Sequence, residues 1–102
     1  MRLRFTPPAL AEIDEILTGI GSRSPRGAGK VRDRLEKIAD SLRDHPYLGQ
    51  ATDIQPVRRL GLQPYPYILF YRIGETEVVI VGIRHAARDP GSMPGGENTD
   101  LP

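Results

Sequence analysis

The sequence predicts an α+β domain in which an antiparallel helix hairpin packs on one face of a mainly antiparallel β-sheet. Two observations support this prediction. In the first half of the chain, two stretches place apolar residues three or four positions apart, which is the spacing of one helix face. The second half holds short runs of β-branched and aromatic residues between turn-forming residues, which is typical of antiparallel strands. Helices that cover one face of such a sheet bury both apolar surfaces.

A short strand and a first helix open the chain. Residues 1–5 alternate polar and apolar side chains, as a strand with one buried face does. Thr6 and the two prolines after it are a helix-start signal, because a hydroxyl caps the first turn and proline is tolerated within it. Glu12 follows near this start, where the helix dipole favours a negative charge. The apolar stripe of this helix consists of Leu10, Ile13, Leu17 and Ile20.

A second helix begins with the same kind of signal at Ser24 and Pro25. Pro46 ends it, because proline cannot continue a helix. Its apolar stripe consists of Ala28, Val31, Leu35, Ile38 and Leu42. Because the joint between the two helices is short, we expect them to form an antiparallel hairpin whose stripes need an apolar cover.

Three strands in the second half supply that cover. Residues 54–60 form the first predicted strand, and residues 61–66 form a turn-rich link. Residues 67–73 are the strongest strand signal in the chain. Residues 74–77 form a hairpin loop, and residues 78–83 return as the third strand of the meander. With the N-terminal strand, the predicted order is strand, helix hairpin and three-stranded antiparallel meander.

Length and composition indicate one domain without a metal or cofactor site. A chain of 102 residues suits a single core, which we place in residues 1–90. Residues 91–102 are rich in glycine and proline, and we expect a flexible tail there. Cysteine is absent, and the two histidines have no metal-binding spacing, so no metal and no cofactor are predicted.

The composition also limits location and partners. The N-terminus lacks the apolar core of a signal peptide, and no apolar run approaches the roughly 20 residues that span a bilayer. A cytoplasmic protein without a membrane partner is therefore expected. The net charge is only +1, which argues against binding nucleic acid through bulk charge.

The best candidate site lies where the last strand ends. Arg84 and Arg88 offer fixed positive charge there, and His85 can exchange protons near neutral pH. One interpretation is a patch that faces an anion or a nucleic acid. In the other, both arginines pair with Asp89 and backbone carbonyls, while His85 packs at the sheet edge.

Two further groups of residues allow two interpretations each. Adjacent strand residues point to opposite faces, so only one of Arg58 and Arg59 can reach the patch at the sheet end. We place Arg58 in that patch. Tyr65, Tyr67 and Tyr71 could stack on bases, although tyrosines in such strands more often belong to the core or its rim.

A family resemblance emerges from the order of several segments. These are "ALAEIDEIL", "GAGKVRDRLEKIADSLRDHPYLG", "VRRL", "YPYILFYRI" and "VVIVGIRHAARDP". Together they cover about residues 1–90, and the chain resembles the ParE/RelE superfamily of toxins from type II toxin–antitoxin systems. The resemblance implies growth inhibition and, for some members, plasmid stabilisation.

The resemblance leaves a choice between two activities. RelE-like members are ribosome-dependent mRNA endonucleases that use several basic residues and usually a C-terminal tyrosine. ParE-like members poison DNA gyrase. Where the nucleases often have arginine after tyrosine, this chain has Ile68 after Tyr67, and no tyrosine follows Tyr71. The ParE-like branch is therefore favoured, with an mRNA endonuclease and a non-toxic antitoxin-binding relative as alternatives.

The resemblance also implies partners and contact residues. The cognate antitoxin would carry a DNA-binding domain, often ribbon-helix-helix, and a disordered tail that folds on the toxin to form a hetero-oligomer. The residues predicted to contact the antitoxin, in an apolar groove, are Leu10, Ile13, Leu17, Val31, Leu35 and Ile38. Gyrase is predicted to contact Arg58, Arg84, His85 and Arg88. If the chain is instead a nuclease on ribosome-bound mRNA, the same four residues are the catalytic candidates.

Overall fold

A computed structural model describes residues 1–88, except for the side chain of Arg88. The predicted tail, residues 91–102, lies outside the described residues. The elements in chain order are β1 (Arg2–Phe5), α1 (Pro7–Gly21), α2 (Pro25–Asp44), β2 (Gln50–Ala51), β3 (Val57–Gly61), β4 (Tyr67–Ile73), β5 (Glu77–His85) and a 3-10 turn (Ala86–Arg88). Neither helix of the described part is long and apolar enough to cross a membrane.

The predicted α+β architecture is confirmed, with one correction to the sheet. The five strands lie in the order β1-β5-β4-β3-β2, and the predicted meander of β3, β4 and β5 is antiparallel. β1, however, pairs with β5 in parallel, so the sheet is mixed. The strand predicted at residues 54–60 occupies Val57–Gly61, and the two-residue strand β2 was not predicted. A two-residue strand carries too little pattern to be recognised in a sequence.

Both helices begin at the predicted caps. The Thr6 hydroxyl accepts a hydrogen bond from the backbone N–H of Ala9 at 3.2 Å, and the Ser24 hydroxyl accepts one from Gly27 at 2.9 Å. Each hydroxyl satisfies an N–H that the first helical turn leaves without a partner. Glu12 lies beyond the first turn of α1, which contains no acidic residue, so the predicted interaction with the helix dipole is wrong. Its carboxylate has another role, described below.

The sheet separates two apolar layers. The larger layer lies between the sheet and the helices, and its most deeply buried members include Leu42, Leu69, Tyr71, Val78 and Ile80. The smaller layer lies on the other face of the sheet and contains Val57, Ile68 and Phe70. Both helices therefore pack on one face, as predicted.

A buried hydroxyl ties the loop after α2 to the sheet. Tyr71 Oη donates to the carbonyl oxygen of Pro46 at 2.7 Å and accepts from the backbone N–H of Gly49 at 2.8 Å. The backbone passes so close here that a Cβ on Gly49 would lie 2.5 Å from the carbonyl oxygen of Arg59. This position therefore requires glycine, and the loop is held at a fixed distance from β3 and β4.

Replacing Tyr71 with phenylalanine tests this anchor. Tyr71→Phe leaves the buried N–H of Gly49 without an acceptor, so we expect the free energy of unfolding to fall by about 1–3 kcal/mol. The matched control is Tyr65→Phe, because the Tyr65 hydroxyl has no hydrogen-bond partner within residues 1–88. The control should change stability by less than about 0.5 kcal/mol in urea denaturation. Equal stability of the two variants would contradict the anchoring role.

Candidate functional site

The end of β5 forms one wall of a cleft, and α1 forms the other wall. The cleft has a volume of about 640 Å³. Its charged and polar lining consists of Glu12, Glu15, Arg23, Tyr67, Arg84 and His85. Its apolar lining consists of Ile16, Ile20 and Ile83. The structure therefore places two of the four predicted target-contact residues, Arg84 and His85, in one cavity.

Glu12 joins α1 to the unpaired part of β5. One carboxylate oxygen accepts the backbone N–H of Ile83 at 3.0 Å, and the other accepts from Arg84 Nη1 at 2.8 Å. β1 pairs with β5 only as far as Ile80, so the N–H of Ile83 has no strand to receive it. Glu12 thus caps a sheet edge and balances a positive charge at the same time.

This geometry partly decides between the two interpretations of Arg84. The guanidinium is paired within the protein, as the second interpretation expected, and the partner that the structure describes is Glu12. The side chains of Arg84 and Glu12 are 31% and 32% exposed, so solvent still reaches the pair. Asp89 and the side chain of Arg88 lie outside the described residues.

His85 packs at the sheet edge, and its Nε2 has no hydrogen-bond partner within the described residues 1–88. Its ring meets the ring of Tyr67 edge to face, with centroids 5.3 Å apart. His85 Nδ1 accepts the backbone N–H of Ala87 at 3.1 Å, which fixes the orientation of the ring. In the neutral imidazole the proton then lies on Nε2, and this N–H is the polar group that His85 can offer to a partner.

Arg58 does not belong to this site, which corrects its predicted place. It lies across from Tyr71, whose side chain is in the core under the helices, whereas Arg84 lies across from Ile68 on the opposite face. Arg58 Nη2 donates to the carbonyl oxygen of Gly49 at 2.6 Å. Arg58 therefore supports the loop after α2.

Arg59 is the arginine of this pair that shares a sheet face with Arg84. It is exposed and lies across from Phe70, which belongs to the smaller apolar layer together with Ile68. Sequence reasoning recognised that only one of the two arginines could face the patch, but it assigned Arg58. The face depends on the register of β3 against β4, which the sequence does not give.

An apolar groove of about 500 Å³ forms a second candidate surface beside β1. Its apolar lining consists of Leu3, Phe5, Leu10, Ile13, Leu17, Leu35 and Ala39, and its rim consists of Arg32, Glu36, Asp40 and Arg43. Leu10 is 54% exposed, so much of its apolar side chain faces solvent. Of the residues predicted to contact the antitoxin, Leu10, Ile13, Leu17 and Leu35 line this apolar groove.

The other two predicted contact residues do not line the apolar groove. Val31 is 5% exposed and Ile38 is 7% exposed, and Ile38 packs in the core under the helices. They share a helical stripe with Leu35, which is also buried but lines the apolar groove. Val31 and Ile38 therefore lie outside the apolar groove, and their contact with an antitoxin stays a prediction. Within residues 1–88 there is no cluster of metal-ligating side chains.

Comparison with known proteins identifies the family. The sequence model of the family described as "ParE toxin of type II toxin-antitoxin system, parDE" matches residues 3–90, which is nearly all of the predicted domain. The chain belongs to this family. The superfamily predicted from the order of the sequence segments is thereby confirmed.

Individual relatives of this ParE-family toxin agree with the assignment. Toxin RelE2 of Caulobacter vibrioides is 40% identical over 84 residues, covering 82% of this chain and 93% of that protein. Y4kP of Sinorhizobium fredii is 36% identical over 85 residues, covering 83% of this chain and 88% of that protein. A solved structure titled as a chromosomal ParDE system from P. aeruginosa matches with a TM-score of 0.74 at 24% identity. It covers 83% of this chain and 95% of that chain and confirms the fold.

A double-mutant cycle tests the pairing of Glu12 with Arg84. We expect Glu12→Gln and Arg84→Gln to show a coupling energy of about 1 kcal/mol in urea denaturation, because the pair is only partly exposed. The control cycle uses Asp40→Asn and Arg43→Gln, a more exposed pair at 3.5 Å for which we expect coupling near zero. Equal coupling in both cycles would contradict a specific link between α1 and β5.

Proposed function

We propose that this ParE-family toxin inhibits DNA gyrase in the cytoplasm, and so inhibits growth, until an antitoxin neutralises it. The supporting observation is that Arg58 does not join Arg84 and His85 at the cleft, as a nuclease that uses all of these residues would need. Arg58 and Arg84 lie on opposite faces of the sheet, and the charge of Arg84 is balanced by Glu12. General acid–base cleavage of RNA needs a proton donor and a proton acceptor within hydrogen-bond reach of the reacting atoms.

A contact surface for a protein target does not need the precisely placed proton donor and acceptor that a catalytic site needs. The end of β5 offers the Nε2–H of His85, the ring of Tyr67 and the paired charge of Arg84 beside an apolar floor. Tyrosine and arginine beside apolar side chains are typical of the residues that dominate protein interfaces. We assign the end of β5, Arg84 and His85 with the backbone that follows, to the gyrase contact.

Two alternatives have a specific observation in their favour. An mRNA endonuclease is favoured by the name of the relative RelE2 and by the adjacent Arg84 and His85 at the cleft. The pairing of Arg84 with Glu12 favours a non-toxic protein that only binds its antitoxin. Among the described residues, Arg84 is the one strand arginine that lines the cleft, and its charge is already balanced. Both alternatives predict that gyrase is unaffected.

A supercoiling assay with purified gyrase tests the proposal. Gyrase, ATP and plasmid are incubated with the toxin, and linear DNA is scored after detergent and protease. We expect toxin-dependent linear DNA that disappears when the antitoxin is added. The variants Arg84→Ala and His85→Ala should lower the yield at least about tenfold, the effect of losing an interface hot spot.

The control variant is Arg26→Ala, which removes an exposed charge that lines neither the cleft nor the apolar groove. It should poison gyrase as the wild type does. Unchanged gyrase at saturating toxin would contradict the proposal. Cleavage of ribosome-bound mRNA that falls about a hundredfold or more in His85→Ala would instead establish the endonuclease.

The apolar groove beside β1 is the surface that we assign to the antitoxin. A partly exposed leucine row on α1 suits the apolar face of an amphipathic segment. We further propose that the antitoxin carries a DNA-binding domain of the ribbon-helix-helix type, so that the hetero-oligomer represses its own operon. The net charge of +1 gives this chain itself little affinity for DNA.

Substituting an exposed leucine tests the role of the apolar groove. Leu10→Glu places a charge where the antitoxin would bury apolar surface, so we expect its affinity to fall at least about tenfold. Leu48→Glu is the matched control, because Leu48 is 51% exposed and lies outside the apolar groove. Calorimetric titration measures both affinities. If Leu10→Glu and Leu48→Glu bind the antitoxin with equal affinity, the assignment of the apolar groove to the antitoxin is contradicted.

A further inference from the structure

A row of three cationic side chains lies along the outer side of α2. Lys30, Arg34 and Lys37 follow one another at helical spacing, and they line an open groove of about 490 Å³. Residues 63–65 of the loop between β3 and β4 form the other wall of this groove. Lys30 and Lys37 are also the only two lysines of the chain. We call Lys30, Arg34 and Lys37 the basic strip.

No ion pair in the described part of the chain neutralises the basic strip. None of the three ion pairs within residues 1–88 involves Lys30, Arg34 or Lys37. Asp33 is the one acidic residue that lines the same groove, so three positive charges face one negative charge there. Like charges three or four positions apart on a helix repel each other and destabilise it. An anionic partner would remove this repulsion.

Arg34 is held in place at the centre of the basic strip. Its Nε donates to the carbonyl oxygen of Gln63 at 2.7 Å, which ties α2 to the loop between β3 and β4. Its Nη1 and Nη2 have no hydrogen-bond partner within residues 1–88. Lys30 and Lys37 on either side are exposed. This arrangement suits phosphate groups, because arginine binds them through planar N–H donors and lysine binds them as a point charge.

The shape of the basic strip suits an extended polyanion better than a small anion. A small ligand needs polar groups that converge in a concave pocket, whereas these three cations lie in a row. An α-helix rises 1.5 Å per residue, so the row from Lys30 to Lys37 is about 10 Å long. A DNA strand carries one phosphate per roughly 3.4 Å of its axis, so the row faces about three phosphates.

The loop between β3 and β4 connects the basic strip with the end of β5 that we assign to gyrase. Tyr65 lines the groove of the basic strip, and Tyr67 lines the cleft beside His85. A cavity of about 570 Å³ between them is lined by both tyrosines and by Ala86. The two surfaces therefore adjoin, and a partner bound at the cleft brings whatever it holds close to the basic strip.

We propose that the basic strip contacts the phosphate backbone of the duplex DNA that gyrase holds, while the end of β5 contacts gyrase itself. This inference rests on the proposed function, since gyrase supplies the DNA. The net charge of +1 gives the chain alone little affinity for DNA. Once the toxin is bound to gyrase, the basic strip meets the duplex at a high effective concentration, so a few weak contacts add to the affinity. Phosphate contacts of this kind carry no sequence preference.

The affinity of the toxin for purified gyrase, measured with and without a bound duplex, tests the inference. The strip variant combines Lys30→Gln with Lys37→Gln, which leaves the bond from Arg34 to Gln63 in place. The control variant combines Arg2→Gln with Arg4→Gln, which changes the net charge equally at exposed positions of β1. We expect the duplex to raise the affinity of the wild type and the control about tenfold, and that of the strip variant less than about twofold.

The possible results separate this inference from the proposed function. If the duplex raises the affinity of the strip variant as much as that of the wild type, the inference is overturned and gyrase binding stands. If the strip variant binds more weakly even to gyrase without DNA, the basic strip contacts protein, which also overturns the inference. If the wild type does not bind gyrase, the inference and the proposed function both fail.

Salt dependence gives an independent readout on the complex of gyrase and duplex. Each lost phosphate contact lowers the slope of log affinity against log salt concentration by about 0.9. We expect the slope to be roughly 2 smaller in the strip variant than in the wild type. Lys30→Arg with Lys37→Arg keeps both charges and should restore the wild-type slope. Equal slopes in the strip variant and the wild type would contradict the inference, and thermal melting checks that every variant folds.

Discussion

The parallel pairing of β1 with the first half of β5 fixes the position of both candidate surfaces. β1 covers β5 only from Glu77 to Ile80, so the rest of that edge of β5 meets α1 instead of a strand. There, Glu12 receives the N–H of Ile83 and holds Arg84, and the cleft opens beside this contact. On its other side, β1 remains an edge strand next to the apolar groove. One pairing thus produces a capped edge at the cleft and an open edge at the apolar groove.

The electrostatics of the cleft favour recognition of a protein over chemistry on a phosphate. A phosphate contact uses the free charge and the planar donors of an arginine. Arg84 already directs Nη1 to a carboxylate 2.8 Å away, and His85 is held by Tyr67 and Ala87. Fixed side chains with compensated charge can still complement a protein surface through shape and hydrogen bonds. This is the physical reason for preferring a gyrase inhibitor, and the family match is compatible with it.

Local signals in the sequence predicted the local structure well. The caps at Thr6 and Ser24 are contacts between residues three positions apart, so the sequence displays them directly. The sequence did not predict the parallel pairing of β1 with β5. It also did not predict the link between Glu12 and Arg84, because these residues are 72 positions apart in the chain. The face on which Arg58 lies depends on strand register, to which the dipeptide Arg58-Arg59 gives no clue. The apolar stripes were found, but burial divides each stripe between core and surface, and only the packing of the sheet shows where.

The most direct test of the function assigned to this fold is recovery of gyrase from cells after a brief induction of the toxin. Chromosomal DNA is isolated under denaturing conditions, and the gyrase bound covalently to it is quantified with and without the antitoxin. A gyrase inhibitor of the kind proposed predicts that toxin raises covalently bound gyrase and that the antitoxin restores the basal amount. Growth arrest with no bound gyrase, accompanied by cleavage of ribosome-bound mRNA, would contradict the proposal and establish the endonuclease in its place.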